Sequence, residues 1–210
     1  DWADIKVPGN WEVQGFGTAI YTNHGYEFQP RNPQPPTLPE MNPVGVYRRD
    51  MSITADMLKR DVFLHIGGAK AGVYVYINGE EVGYSEDSKN PAEFKINDYV
   101  EAGNNTLVIK IFRWSTGSYL ECQDFWRISG IERDVYLWSQ PKTHLRDFVV
   151  KSDLDETYTD GNFALKTMIK NSNTTKSEVE VSYELLDNAK KVIATDKQIV
   201  ALEAGEEKDA

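Results

Sequence analysis

The segment from Arg113 to Val135 has the composition of a functional loop. It lies between two strand-like runs and is rich in Trp, Tyr, Arg, Asp and Gln, whereas ordinary surface loops consist of small polar residues. A loop of this composition must be ordered by its own packing, and such loops commonly line a site or an interface. Aromatic rings can cover the apolar C–H faces of a pyranose, and Asp, Asn and Arg can bind its hydroxyls. The segment therefore indicates a sugar pocket.

Two residues are the candidate ligands of a sugar. The carboxylate of Asp124 can accept hydrogen bonds from neighbouring hydroxyls and can coordinate a hard cation. In an alternative interpretation it pairs with Arg127 or Arg113 and braces the loop. Asn23 can donate and accept at once, which suits a hydroxyl group, and its alternative role is a turn before His24.

The remaining large side chains of the segment are predicted to support the loop. We expect Trp114, Trp126 and Tyr119 to pack beneath it, which we favour over a platform on which a sugar ring stacks. Arg127 is expected to brace acidic neighbours rather than to touch a ligand.

Composition excludes several classes of protein. The 210 residues carry a formal charge of -10, which argues against nucleic-acid binding and against an anionic membrane surface. There is no apolar run long enough to span a bilayer. The single cysteine, Cys122, excludes an intrachain disulfide and a Cys-based zinc site, and three scattered histidines do not predict a metal cluster.

Period-two alternation of β-branched and aromatic residues predicts a β-sandwich or jelly roll. Asn78-Gly79 between two alternating runs predicts a hairpin with a type I′ turn, because both residues tolerate positive φ. One short helix-like piece covers 55–59. The predicted strands of this first block are 44–54, 60–66, 73–77, 80–84, 93–96, 105–114 and 131–138.

A second block of different composition follows Pro141. It is rich in Lys, Glu, Thr and Asn, lacks Trp, and predicts four strands at about 144–152, 162–170, 177–186 and 192–200. An immunoglobulin-like sandwich needs about seven strands, so we expect domains at 1–141 and 142–210, the second one incomplete. The acidic end, 203–209, is expected to be a solvated strand end or a tail. The proline-rich stretch 28–39 is expected to be extended, as a flexible spacer or as a tethered functional loop.

Several ordered motifs give the chain a resemblance to the amino-terminal region of the bacterial β-galactosidases of glycoside hydrolase family 2. Over about 1–140 the motifs are jointly specific, whereas over 141–210 only order and spacing resemble the family. The motifs are Val7-Pro-Gly-Asn-Trp11, Ile20-Tyr-Thr-Asn23, Pro43-Val-Gly-Val-Tyr-Arg48, Val82-Gly-Tyr-Ser-Glu-Asp-Ser88, Arg113-Trp-Ser115 and Gln123-Asp-Phe-Trp-Arg-Ile-Ser-Gly-Ile131.

The resemblance implies a jelly-roll sugar-binding domain, then an immunoglobulin-like domain, then a (β/α)₈ barrel that carries two catalytic glutamates. No catalytic residue is therefore expected in this chain. By the same resemblance, Asn23 and Asp124 bind galactosyl hydroxyls, Asp124 helps to hold a sodium ion, and catalytic magnesium belongs to the barrel of the parent protein.

The resemblance fails at one metal position. Family members bind a second, structural magnesium ion through an Asp after Arg-Trp-Ser and a Gln before Asp-Ser. Thr116 and Glu86 stand at those positions here. The resemblance therefore leaves this metal position in doubt.

The parent protein is expected to be a retaining β-galactosidase acting on terminal β-D-galactosides such as lactose, with the substrate shared between this chain and the barrel. A homo-oligomer in the bacterial cytoplasm or periplasm is expected, without nucleic-acid or membrane partners. Three alternatives are a free-standing carbohydrate-binding module, a structural or adhesive sandwich, and the same domain of a β-glucuronidase or β-mannosidase.

Overall fold

A computed structural model describes residues 2–23, 25–29 and 31–210, so His24 and the turn expected there lie outside the described residues. The chain divides into two compact units, Asp1–Ser139 and Gln140–Ala210. The predicted all-β class is confirmed, because strands dominate both units. No helix among the described residues has the length and hydropathy needed to cross a membrane.

The first unit contains most of the strands and all of the short helices. The strands are β1 (Gly9–Asn10), β2 (Ile20–Thr22), β3 (Val44–Ile53), β4 (Asp61–Ile66), β5 (Ala69–Lys70), β6 (Gly72–Ile77), β7 (Glu80–Ser85), β8 (Ala92–Lys95), β9 (Gly103–Phe112), β10 (Phe125–Arg127), β11 (Gly130–Ile131) and β12 (Val135–Gln140). The helices are α1 (Ala55–Leu58) and three 3₁₀ turns, Glu12–Gln14, Asn97–Tyr99 and Thr116–Tyr119.

Two antiparallel sheets enclose the core of the first unit. One has the order β3-β9-β6-β7 and the other β12-β4-β8. Alternate residues of the central strands β4, β6 and β9 are buried, so each sheet turns one apolar face inward. Side chains of both sheets, such as Leu64, Val75 and Ile109, form one hydrophobic cluster. Burial of about 1.5–3 kcal/mol per large aliphatic side chain makes this cluster the main stabilising element of the unit.

The predicted hairpin turn is confirmed. Asn78 and Gly79 have φ values of 52° and 90° and connect β6 to β7. The ladder shifts register between Val75 and Tyr76, which indicates a β-bulge that the alternation did not reveal.

The single strand predicted at 131–138 is wrong. The chain forms β11, which pairs with β1 and β5, and then crosses to β12 in a different sheet. Gly130 adopts a φ of 122°, and an added Cβ would lie 2.6 Å from the indole of Trp11. Gly130, the first residue of β11, is thus fixed by close packing against a buried indole, a contact with a distant residue that the alternation of residue types does not reveal.

The second unit contains five strands in two small sheets. They are β13 (Thr143–Leu154), β14 (Gly161–Asn171), β15 (Ser177–Leu186), β16 (Val192–Leu202) and β17 (Glu207–Asp209), with orders β13-β14-β17 and β15-β16. Ile169, Val200 and Leu202 form its buried cluster. The acidic end is a solvated strand end, one of the two expected alternatives, because residues 207–209 are exposed and pair with the edge of β14.

We expect Gly130→Ala to destabilise the first unit by about 3 kcal/mol or more, because the new Cβ meets Trp11 and the backbone conformation is strained. Gly103→Ala in the same unit is the matched control, since its φ of 102° is strained in the same way but nothing lies within 4 Å of its added Cβ. Chemical denaturation monitored by tryptophan fluorescence measures both. Equal stability of the two variants would contradict this account of the close packing between Gly130 and Trp11.

Candidate functional site

A two-stranded ladder joins the two motifs that contain the candidate ligands. β2 and β10 are antiparallel, with Thr22 opposite Phe125 and Ile20 opposite Arg127. Asn23 and Asp124 each stand one residue beyond the last pair, so they occupy neighbouring positions at the same end of the ladder. The structure thus brings together two residues that are about a hundred positions apart in the chain.

One face of this ladder carries both candidate ligands and two aromatic rings. Side chains alternate between the faces of a strand, and residues directly opposite each other in an antiparallel pair share a face. Tyr21 is opposite Trp126, and Asn23 and Asp124 lie two residues further along. Tyr21 is 56% exposed and Trp126 55% exposed, with ring centroids 5.6 Å apart. The four residues form what we call the ligand face.

A hydrogen bond orients the carboxylate of Asp124. The hydroxyl of Tyr21 donates to its Oδ1 atom at 2.7 Å, while Oδ2 makes no hydrogen bond to a described residue. This hydrogen bond and the negative charge of Asp124 raise the pKa of Tyr21, so the phenol remains a donor across the neutral range. The Oδ2 atom of the exposed Asp124 is therefore available to a ligand.

The alternative pairing of Asp124 with an arginine is not what the structure shows. Arg127 is 2% exposed, and its Nε lies 3.3 Å from Oε2 of the buried Glu27. The guanidinium of Arg113 lies 3.5 Å from Oε1 of Glu12 and donates to two backbone carbonyls. Both arginines are thus directed into the protein beneath the ladder, whereas Asp124 is exposed on the opposite side.

Of the three aromatic residues that were expected to pack beneath the loop, two do so and one does not. Tyr119 is 8% exposed, and Trp114 packs against Phe28 with ring centroids 5.6 Å apart, so both support the loop as predicted. The prediction for Trp126 is wrong. The residue occupies an outward position of β10, where strand alternation places its ring on the surface beside Tyr21.

The proline-rich stretch and the two residues before it are tethered to the loop at several points. Trp114 Nε1 donates to Oε1 of Glu27 at 2.8 Å, and the hydroxyl of Tyr119 donates to Gln29 at 2.6 Å. The rings of Tyr26 and Tyr119 pack with centroids 4.9 Å apart. These contacts favour the tethered loop over the flexible spacer.

The face of the ladder opposite the ligand face is rich in cations. Lys70, Lys89 and Arg127 place their charged groups 4.9, 5.5 and 5.1 Å from the ring centroid of Phe125. Lys70 is 5% exposed, and burial lowers its pKa. Lys89 also pairs with Glu132 at 2.7 Å. These cations hold the ring of Phe125, the residue that follows Asp124.

The side chain of the single cysteine, Cys122, is held in place by hydrogen bonds. The thiol of Cys122 donates to the carbonyl of Gly25 at 2.6 Å, and its sulfur accepts from Arg127 at 3.3 Å. Burial raises the pKa of the thiol, so the reactive thiolate is disfavoured.

Sequence reasoning missed Tyr21, Glu27 and Lys70. Tyr21 could have been found, because it stands two residues before Asn23 and strand alternation puts both on one face. Glu27 and Lys70 gave no comparable signal, since their contacts with Arg127 and Phe125 depend on long-range pairing.

Comparisons with known proteins match both units. The model described as "Glycosyl hydrolases family 2, sugar binding domain" matches residues 2–141, and "Glycosyl hydrolases family 2" matches 143–210. A β-galactosidase of Priestia megaterium is 45% identical over 172 residues, which is 81% of this chain and 17% of the relative. One from Halalkalibacterium halodurans is 42% identical over 92% of this chain and 19% of its own length. The chain spans less than a fifth of these relatives.

Solved structures share the fold at low sequence identity. A β-glucuronidase of Bacteroides uniformis aligns with a TM-score of 0.75 at 21% identity, covering 100% of this chain and 24% of that one. A putative β-galactosidase of Bacteroides fragilis aligns with a TM-score of 0.70 at 15% identity, covering 100% and 30%. The fold, the family models and the sequence identities agree, and the chain belongs to glycosyl hydrolase family 2.

Proposed function

We propose that this chain is the substrate-positioning part of a retaining β-galactosidase that hydrolyses terminal β-D-galactosides such as lactose. The ligand face, with Asn23 and Asp124 at neighbouring positions, is the observation that carries the proposal. In this proposal the two side chains bind galactosyl hydroxyls at the rim of a pocket whose other walls come from the barrel of the parent protein. The barrel supplies the carboxyl pair, about 5 Å apart, that retaining hydrolysis requires.

The geometry of Asp124 supports a role in orientation. Tyr21 holds one carboxylate oxygen, and the other makes no hydrogen bond to a described residue. A carboxylate held in one rotamer can accept hydrogen bonds from sugar hydroxyls in a fixed direction, which contributes to the positioning of the bond to be cleaved. The exposed rings of Tyr21 and Trp126 lie beside it and can contact the apolar face of a sugar.

The same oxygen is suited to a sodium ion. Sodium is a hard cation that takes oxygen ligands, and Asp124 would contribute one of them. No group of three or more His, Cys, Asp or Glu residues that could hold a metal ion occurs among the described residues. We therefore propose that the rest of the parent protein or the sugar completes the coordination of the ion. Its charge would strengthen binding of the hydroxyl that it contacts.

The identities favour a galactoside over a glucuronide. The β-galactosidases of the comparison are 39–45% identical to this chain, whereas the β-glucuronidase structures are about 20% identical. The β-glucuronidase alternative rests on shared fold alone, because these identities are too low to carry substrate specificity.

Asp124→Asn in the full-length parent should lower kcat/KM for lactose by about 10- to 100-fold, because a charge-assisted hydrogen bond is lost. The dependence of activity on sodium should weaken as well. Steady-state kinetics across a sodium series measures both effects. Asp98→Asn is the control, since it makes the same chemical change at an exposed turn elsewhere. Unchanged kinetics in Asp124→Asn would refute the assignment.

Tyr21→Phe should lower kcat/KM by about fivefold, because Asp124 loses one orienting hydrogen bond of about 1 kcal/mol. Since the hydroxyl of Tyr21 acts through Asp124 and the ring is kept in Phe, the double variant Tyr21→Phe/Asp124→Asn should be no slower than Asp124→Asn alone. Additive losses in this double-mutant cycle would mean that Tyr21 contacts the substrate independently.

Calorimetry of the 210-residue chain with galactose or lactose should give no measurable binding, because two hydrogen-bonding side chains on an open face form only part of a pocket. Glucose serves as the comparison sugar. Specific heat of binding with galactose would favour the free-standing carbohydrate-binding module instead.

A further inference from the structure

Glu86 contacts the beginning of the loop that carries Asp124. It follows β7, and its Oε2 atom accepts hydrogen bonds from the hydroxyl of Thr116 at 2.5 Å and from the backbone N–H of Gly117 at 2.6 Å. Thr116 and Gly117 open the 3₁₀ turn Thr116–Tyr119. One carboxylate oxygen thus connects two segments about thirty residues apart.

A second carboxylate makes the reciprocal connection. Glu121 lies two residues after the same 3₁₀ turn, and its two oxygens accept from the backbone N–H of Ser88 at 2.9 Å and from its hydroxyl at 2.6 Å. Ser88 is fully buried and lies two residues after Glu86. The 3₁₀ turn is therefore held at both ends against residues 86–88. We call these four hydrogen bonds the carboxylate brace.

The brace replaces the structural magnesium ion that the family resemblance implies at this position. The implied ligands are an Asp on the loop and a Gln on the segment after β7, whereas this chain has Thr116 on the loop and Glu86 after β7. Each arrangement contains one carboxylate. It lies on the loop in the family pattern and on the segment after β7 in this chain. Thr116 carries a hydroxyl donor, so the two sides bind each other directly.

The residues present do not fit a magnesium ion. The oxygen of Glu86 that faces the loop already accepts from an N–H and a hydroxyl, both of which repel a cation. Magnesium requires near-octahedral oxygen ligands, and a neutral Thr hydroxyl is a poor substitute for a carboxylate. The described residues include no group of three or more His, Cys, Asp or Glu that could hold a metal ion.

We propose that the carboxylate brace holds the Asp124 loop in place without a metal ion, with Glu86 as the positioning residue. The brace lies within the first unit and does not depend on which sugar the ligand face binds. It makes the order of residues 115–121 independent of magnesium.

Hydrogen exchange of the 210-residue chain tests the proposal. The amides of residues 115–121 should show the same protection factors with excess magnesium chloride and with EDTA. Magnesium-dependent protection that EDTA abolishes would overturn the proposal.

Two variants separate the brace from general stability. Glu86→Gln and Thr116→Val should each accelerate exchange in 115–121 by about fivefold while leaving the core strands β4, β6 and β9 unchanged. Thr106→Val is the matched control, since its hydroxyl donates to the carboxylate of Asp50 at 3.1 Å elsewhere on the surface. If Thr116→Val and Thr106→Val exchange alike in 115–121, Glu86 does not hold the loop. If Glu86→Gln fails to fold, Thr116→Val alone decides between the outcomes.

Discussion

Two buried arginines beneath the β2–β10 ladder fix the geometry of the candidate site. A ladder of three residue pairs has too few hydrogen bonds to persist in water by itself. Arg127 extends from β10 into the interior, and Arg113 lies beside it and donates to its carbonyl oxygen. A buried guanidinium without a partner costs several kcal/mol, so each requires a carboxylate. Glu12 and Glu27 supply these carboxylates from either side of β2, which fastens this strand against β10.

This arrangement decides the roles of side chains that look alike in the sequence. Trp114 and Trp126 belong to the same aromatic loop, yet only Trp114 supports it. β10 must direct Arg127 inward to reach Glu27, and strand alternation then directs Trp126 and Asp124 outward. The exposed aromatic surface beside Asp124 is thus a consequence of the buried ion pair.

The acidic residues of the site region divide by geometry into three groups. Glu12 and Glu27 neutralise buried arginines, whereas Glu86 and Glu121 accept hydrogen bonds that hold the loop. Asp124 is exposed, with Tyr21 on one oxygen. A carboxylate that is directed into the protein and engaged there serves structure, whereas an exposed one with an open oxygen can serve a ligand. This distinction, rather than residue type, identifies Asp124 as the candidate.

Much of the fold of this protein could be predicted from the sequence alone, because it depends on local interactions. Alternating residues predicted most strands, and Asn78-Gly79 specified its turn, because these signals depend on neighbours in the chain. The break after Ile131 and the outward position of Trp126 were missed, since both depend on contacts with distant residues. Motif resemblance singled out Asn23 and Asp124, but alternation could not show that β2 pairs with β10. Only the tertiary structure decided that register, because strand pairing and burial of charge are set by residues about a hundred positions apart.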